Sequence, residues 1–274
     1  MINKDFTTEE FDNLAHLLKM EFGIYLHPDK RVSYADKLQK LLKLSGCGSF
    51  EQFMQQLSQD TTCHSIRMLL NCFTVNHTYF MREKEHFNYF SEAVLPQLKE
   101  LLEDERDLRI WSAGCSSGEE AYTLAMLVSD FLGEDYHLWD TRILATDISC
   151  KVLEQAVRGR YPSSSVNRLF THWISRYFVP GSKEDYEISP SIRNNVIFRR
   201  FNLHTPQFPF KKKFHVIFCR NVMIYFDSQA KLALQTRFYD CLHKDGYLFI
   251  GRSESLHPEM VRFRSVAPSI YQKV

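Results

Sequence analysis

The stretch Arg109–Ala121, RIWSAGCSSGEEA, constrains the fold more than any other part of this chain. An apolar strand seed, Ile110-Trp111, runs into Gly114, a loop of small residues, Gly118 and the adjacent acids Glu119 and Glu120. From Tyr122 to Leu132 the pattern is that of an amphipathic to buried helix, so the segment predicts a strand, a glycine loop and a helix in succession. Glycines let backbone approach a ligand closely, and in α/β sheets ligands bind outside the carboxyl ends of the strands. Two acids at the helix start would repel a nucleotide's phosphates but suit a cationic or hydroxyl-rich ligand. The loop therefore reads as a nucleoside site without phosphates, with S-adenosylmethionine the first candidate. Two glycines beside a strand also arise often by chance, so the motif alone is a weak signal.

The 274 residues are enough for two domains, or one large domain with an appendage, around a sizeable core. Lys and Arg total 34 against 33 Asp and Glu, and this near balance argues against a general nucleic-acid binder. The seven cysteines are odd in number, form no C-x-x-C pair and sit mostly in apolar segments. A reduced, cytosolic compartment is expected from them, and no metal site. The N-terminus lacks a signal-peptide core and no run approaches the roughly 18 apolar residues of a membrane span, so a soluble cytoplasmic protein is expected.

Residues 1–75 read as a helical N-terminal domain. Thr7 or Thr8 with Glu10 can cap a first helix whose apolar positions are Phe11, Leu14, Leu17 and Leu18. A second helix is expected from Pro28 to about Lys43, a third from about Ser49 to Leu57 and a fourth from about Thr62 to Phe73. The second carries Lys30, Arg31, Lys37, Lys40 and Lys43 against only Asp29 and Asp36. That face is either simply solvated or a dock for an acidic partner. Residues 76–108 read as a linker and lid segment with a helix from Glu85 to Leu102. Just before that helix, TVNHTYFMR at 74–82 offers the hydrogen-bonding groups of Thr74, Asn76 and Thr78 and the donor fork of Arg82. Taken alone, helix capping and core aromatics account for this patch better than a ligand does.

From Arg109 to the end the chain alternates strand and helix. A strand at 142–145 ends in Thr146-Asp147 and precedes a helix from Ser149 to Arg158. A carboxylate at that tip can accept from both ribose hydroxyls, although an acid there can equally cap the next helix. The runs Arg176–Val179, Tyr186–Ser189 and Val196–Phe201 predict a small antiparallel insertion at about 160–201. Next come a buried strand, FHVIF, ending at Cys219-Arg220-Asn221, and a helix started near Asp227. Asp245-Gly246 then turns the chain into a strand from Tyr247 to Gly251, and Ser269–Val274 closes the sheet. The fold class is α/β: a Rossmann-like sheet at 109–274 with room for S-adenosylmethionine, a helical N-terminal domain and a small antiparallel β-subdomain.

Set side by side, TVNHTYFMR, WSAGCSSGEEAYTLA, ILATDIS, the FNL at 201–203, FHVIFCRNVMIYFD, DGYLFIGRSES and the final IYQK closely resemble the CheR family of chemotaxis receptor methyltransferases. The resemblance spans essentially the whole chain, and CRNVMIYFD is highly specific. It implies methylation of glutamate side chains on the cytoplasmic helices of chemoreceptors, with S-adenosylmethionine as donor and S-adenosylhomocysteine as product. It implies that Asn76, Thr78 and Arg82 close over the cofactor beside the Gly114 loop, and that Glu120 and Asp147 hold its amino-acid and ribose parts. Asn202, Leu203, Arg220 and Asn221 would line the adenosine and the rim, and Tyr225 would sit near the transferred methyl, with Arg82 and Tyr225 as the catalytic pair. The chain departs from the family pattern at Ala121, where proline is usual, and at Met81, where a second phenylalanine is common. Nucleic-acid binding and direct membrane insertion are not expected, and a monomer is. Two other functions compete: methylation of a small molecule or nucleic acid, and a non-catalytic S-adenosylmethionine sensor. The near-neutral charge, and the lack of an Asn-Pro-Pro-aromatic run, disfavour the first. The intact Arg82, Asp147, Asn221 and Tyr225 disfavour the second.

Overall fold

Six consecutive buried residues, Phe214–Cys219, form strand β7 at the middle of a sheet covered on both faces, where the run is apolar except for the buried His215. The computed structural model describes residues 7–61, 64–74, 76–182 and 184–274, and the element boundaries below follow it. The helical part comprises α1 (Thr8–Phe22), α2 (Arg31–Ser45), α3 (Phe50–Gln59) and α4 (His64–Phe73). Thr7 caps α1, accepting from the Glu10 N–H while the Glu10 carboxylate accepts from the Thr7 N–H, a reciprocal capping box. Residues 62 and 63, the expected start of the fourth helix, lie outside the described residues.

The helix expected from Glu85 to Leu102 is broken into α5 (Lys84–Tyr89), a π-helical turn at 90–94 and α6 (Leu95–Leu101). Pro96 explains the break, because it has no N–H to donate and its ring clashes with the carbonyl four residues back. The broken helix lays Phe87 and Phe90 against Phe218, and Phe90 also against Phe249, on one face of the sheet.

The remaining elements are β1 (Ile110–Ala113), α7 (Glu119–Leu132), β2 (Ile143–Asp147), α8 (Cys150–Arg158), β3 (Arg160–Pro162), α9 (Ser163–Val166), α10 (Thr171–Tyr177), β4 (Phe178–Pro180), β5 (Asp185–Ile188), α11 (Pro190–Arg193) and β6 (Val196–Arg200). After β7 come α12 (Ser228–Cys241), β8 (Leu242–Ile250), β9 (Phe263–Ala267) and β10 (Ile270–Lys273). The main sheet has the order β6-β2-β1-β7-β8-β10-β9. The five strands from β6 to β8 run parallel, and β10 and β9 close the far edge antiparallel. From β1 the chain builds outward through β2 to β6, then returns to the other side of β1 as β7. Between the carboxyl ends of β1 and β7 the two halves part, and that switch point is where such sheets leave a crevice for a ligand.

Several sequence expectations need correction. Val196–Arg200 is not the third strand of the antiparallel insertion: it pairs in parallel with β2 at the edge of the main sheet. The small sheet is β3-β5-β4 instead, so the insertion's strands lie between 160 and 188. Arg176 and Tyr177 are helical rather than extended, because Trp173 and Tyr177 stand four residues apart on one buried face of α10 and both donate to Asp130 on α7. Asp245-Gly246 does not start a new strand, since β8 already begins at Leu242. Its register against β7 jumps from Phe214↔Leu242 to Val216↔Tyr247, a bulge around Asp245, whose φ is 60°. Among the described residues no helix is long and apolar enough to cross a membrane.

Candidate active site

The loop between β1 and α7 turns at Gly114, whose φ of 87° lies in the left-handed region; a Cβ there would meet Val222 Cγ2 at 2.4 Å. Only glycine lets this loop pack so closely on the chain leaving β7. Between these loops lies a cavity of about 380 Å³, within the size range of small-molecule sites. Every residue singled out as a candidate lines it: Asn76, Thr78, Arg82, Gly114, Glu120, Asp147, Asn202, Leu203, Arg220, Asn221 and Tyr225. Glu119 does not, for its buried carboxylate turns away and accepts the Ser117 hydroxyl at 2.7 Å. The acidity of the cavity on this side is thus that of Glu120 and not of the pair.

Glu120 accepts the Ser112 hydroxyl at 2.7 Å and, on its other oxygen, Arg220 Nη1 at 3.2 Å. Burial pushes its carboxyl up, against the pull of Arg220 and Ser112. At the tip of β2, Asp147 accepts the Ser116 N–H on one oxygen and the Ser149 N–H on the other, both at 2.9 Å. Both readings of this acid are therefore realised: it supports the start of α8 and faces the cavity. Each of its oxygens keeps a lone pair for a ligand hydroxyl. Burial raises its carboxyl too, with the N–H bonds acting against it.

Arg220 is almost wholly buried. Its guanidinium donates to Glu120, to Glu83 Oε2 at 3.1 Å and to the Arg82 carbonyl, and it lies 5.0 Å from the centre of the Phe87 ring. Arg82, by contrast, makes one side-chain bond among the described residues, Nη1 to the His77 carbonyl at 2.6 Å, which leaves most of its donor fork for a ligand or substrate. Asn202 donates to the Glu21 carbonyl at 2.8 Å and accepts the His204 N–H at 2.9 Å, so one N–H and one lone pair remain.

Sequence reasoning missed three contributors. Glu254 gathers the N–H groups of Asn221, Ile224 and Gly251 at 2.9, 3.1 and 2.6 Å and so shapes the turn that presents Tyr225. Glu83 ties Arg220 and Asn221 to the 76–82 segment. Both acids sit inside or next to stretches that carried the resemblance, and that was the available signal. The third is the end of α1. Phe22 and Ile24 line the cavity, Ile24 bridges Phe226, and the Tyr25 N–H donates to the Tyr225 carbonyl at 2.7 Å. A signal for this wall was not visible in a helical pattern.

The chemistry of the lining fits S-adenosylmethionine, a zwitterion carrying a sulfonium and an adenosine. The lining offers carboxylates suited to its cationic and hydroxyl parts, arginines suited to its carboxylate, and in Ile148, Phe201 and Leu203 an apolar wall suited to a base. Residues 76–271 match the family model described as the CheR methyltransferase SAM-binding domain, and residues 9–74 match the family's all-alpha domain. The chain belongs to the CheR methyltransferase family. It is 36% identical to a chemotaxis protein methyltransferase of Borreliella burgdorferi over 99% of this chain and 96% of that one. It is also 32% identical to a probable chemotaxis protein methyltransferase of Rhizobium etli, over 89% and 91% of the two chains. The Escherichia coli chemotaxis protein methyltransferase is 31% identical over 95% and 89%. As a member of the family this chain is a methyltransferase that uses S-adenosylmethionine.

Proposed function

We propose that the chain methylates glutamate side chains on the cytoplasmic helices of chemoreceptors, working as a cytoplasmic monomer and leaving glutamate methyl esters. On this reading residues 1–75 dock on the receptor, 76–108 carry the lid over the cavity and 109–274 hold the cofactor. The observation that carries it is the contrast between the two arginines of the cavity. Arg220 is neutralised by Glu120 and Glu83, whereas Arg82 keeps donors to receive an incoming carboxylate.

Bound S-adenosylmethionine supplies an electrophilic methyl group. A glutamate side chain, with a reference pKa of about 4.3, is ionised at pH 7 and is already the nucleophile, so the protein needs no general base. Its residues have to hold the carboxylate in line and keep water out. Arg82 orients the carboxylate by paired N–H donors and Tyr225 by its hydroxyl. Glu120 and Asp147 fix the cofactor, with Asn76, Thr78, Asn202, Leu203 and Asn221 completing its walls. That its relatives are chemotaxis protein methyltransferases supports the chemotaxis setting.

The test is transfer of labelled methyl to receptor-containing membranes. Label that is released as methanol by mild alkali marks a carboxylate ester, and alkali-stable label would sink the reading. Arg82→Ala should lower kcat about 100-fold or more while weakening cofactor binding by less than tenfold, since it acts on the reacting carboxylate.

A further inference from the structure

The cavity is assembled from segments far apart in the chain, and Glu83 joins two of them to each other and to the loop after β8 while staying outside the lining. It follows Arg82 directly. One carboxylate oxygen accepts Arg220 Nη2 at 3.1 Å. The other accepts Asn221 Nδ2 at 3.3 Å and the Arg252 N–H at 3.5 Å, from the loops after β7 and β8. The side chain is only 14% exposed, and that of Arg220 only 2%. Met81, Glu83 and Asn221 have φ of 58°, 55° and 59°, a conformation non-glycine residues hold only when their surroundings impose it. Burial raises the Glu83 carboxyl, but the Arg220 charge and the Asn221 hydrogen bond outweigh it and leave Glu83 below the ordinary range, ionised at pH 7. The neighbouring His86 is held neutral, pushed down to about 4 by burial and by Arg220, so Arg220 is the buried cation Glu83 balances.

We propose that Glu83 is a positioning residue for methyl transfer: it shares the Arg220 guanidinium with Glu120 and locks the Arg82 segment to the Asn221 loop. Without its charge the whole of the Arg220 cation falls on Glu120, whose Oε2 is then drawn toward arginine and away from the ligand's ammonium group. Arg82 loses its register as well, because its own carbonyl is held by the same guanidinium. The inference rests on the reading of Glu120 as a cofactor residue, and the test separates the two.

In the full chain, Glu83→Gln, Glu120→Gln and the double variant are compared by calorimetry with S-adenosylhomocysteine and by steady-state methylation of receptor membranes. Glu83→Gln is expected to weaken the Kd about tenfold and to lower kcat/KM by about tenfold to a hundredfold. The double variant is expected to bind no worse than Glu120→Gln alone, because one residue acts through the other. A merely structural role would move the thermal midpoint and give additive losses in the cycle. Additive losses, or a Glu83→Gln variant matching the parent, overturn the proposal and leave the site reading standing. A Glu120→Gln variant with parental affinity overturns both. Should Glu83→Gln not fold, Glu83→Asp, which keeps the charge but shortens the arm, carries the same cycle.

Discussion

Asp147 is a carboxylate that holds the chain together and still lines the cavity. The Ser116 and Ser149 N–H bonds fix the glycine loop and the entry to α8, and on the proposed reading the remaining lone pairs accept from a ribose. Asp147→Ala should weaken cofactor binding by about 1.5 to 3 kcal/mol, measured by calorimetry. Unchanged affinity would remove it from the site. A second residue-scale prediction concerns buried imidazoles. His215 accepts the Arg109 N–H at 3.0 Å and stacks on His243 with ring centres 4.4 Å apart. Burial, reinforced by the His243 and Arg109 charges, holds it down at about 4, and His86 lies there too. The unfolded chain takes up these protons near the ordinary value of about 6.5. Each histidine therefore contributes stability that is complete above pH 6.5 and is lost as pH falls toward 4, by roughly 3 kcal/mol for His215. Denaturant titrations between pH 7 and 4.5 should show this slope, and His215→Gln should remove its share. A flat profile would contradict it. Glu83 and Glu254 were not legible in the sequence for a related reason. A carboxylate that gathers loop N–H groups looks, in one dimension, like any surface acid.

At the scale of elements, the glycine loop, β1, β2 and β7 were legible because parallel strands buried on both faces leave unbroken apolar runs and small-residue turns. β6 was misassigned because an edge strand, Val-Ile-Phe-Arg-Arg, buries only part of itself and reads like a strand of a small antiparallel sheet. β3 has three residues, too few to show a period. The basic helix α2 was legible as a helix, but its face is not uniform. Lys37 is half-buried with its ammonium about 6 Å from the Tyr34 and Phe73 rings, and burial lowers its pKa. Lys40 and Lys43 are the exposed charges, and reversing both should slow receptor methylation about three- to tenfold at low salt and flatten its salt dependence, with cofactor affinity unchanged. Parental rates and slopes would make the face a solvated one.

At the scale of the whole molecule, α1 meets the catalytic sheet at Gly23. Its φ is 69°, and an added Cβ would come within 2.5 Å of the Phe226 ring and 2.7 Å of His204 Nδ1. Lys19 pairs with Asp227 at 2.8 Å beside this contact. Gly23→Ala should push α1 off the loop that carries Tyr225 and weaken S-adenosylhomocysteine binding about three- to tenfold, although residue 23 is not itself a lining residue. Calorimetry against the parent decides it, and equal affinity would show that the wall yields without consequence.

Because Phe22 and Ile24 close the cavity from the same helical unit that carries the basic face, whatever grips that unit also bears on the cofactor. Linkage makes such an effect mutual: if a docked receptor steadies α1, it tightens cofactor binding by some factor, and bound cofactor tightens docking by the same factor. The enzyme would then favour the ternary complex over either half-loaded state, and spent cofactor, which still fills the wall, would slow the parting of enzyme and receptor.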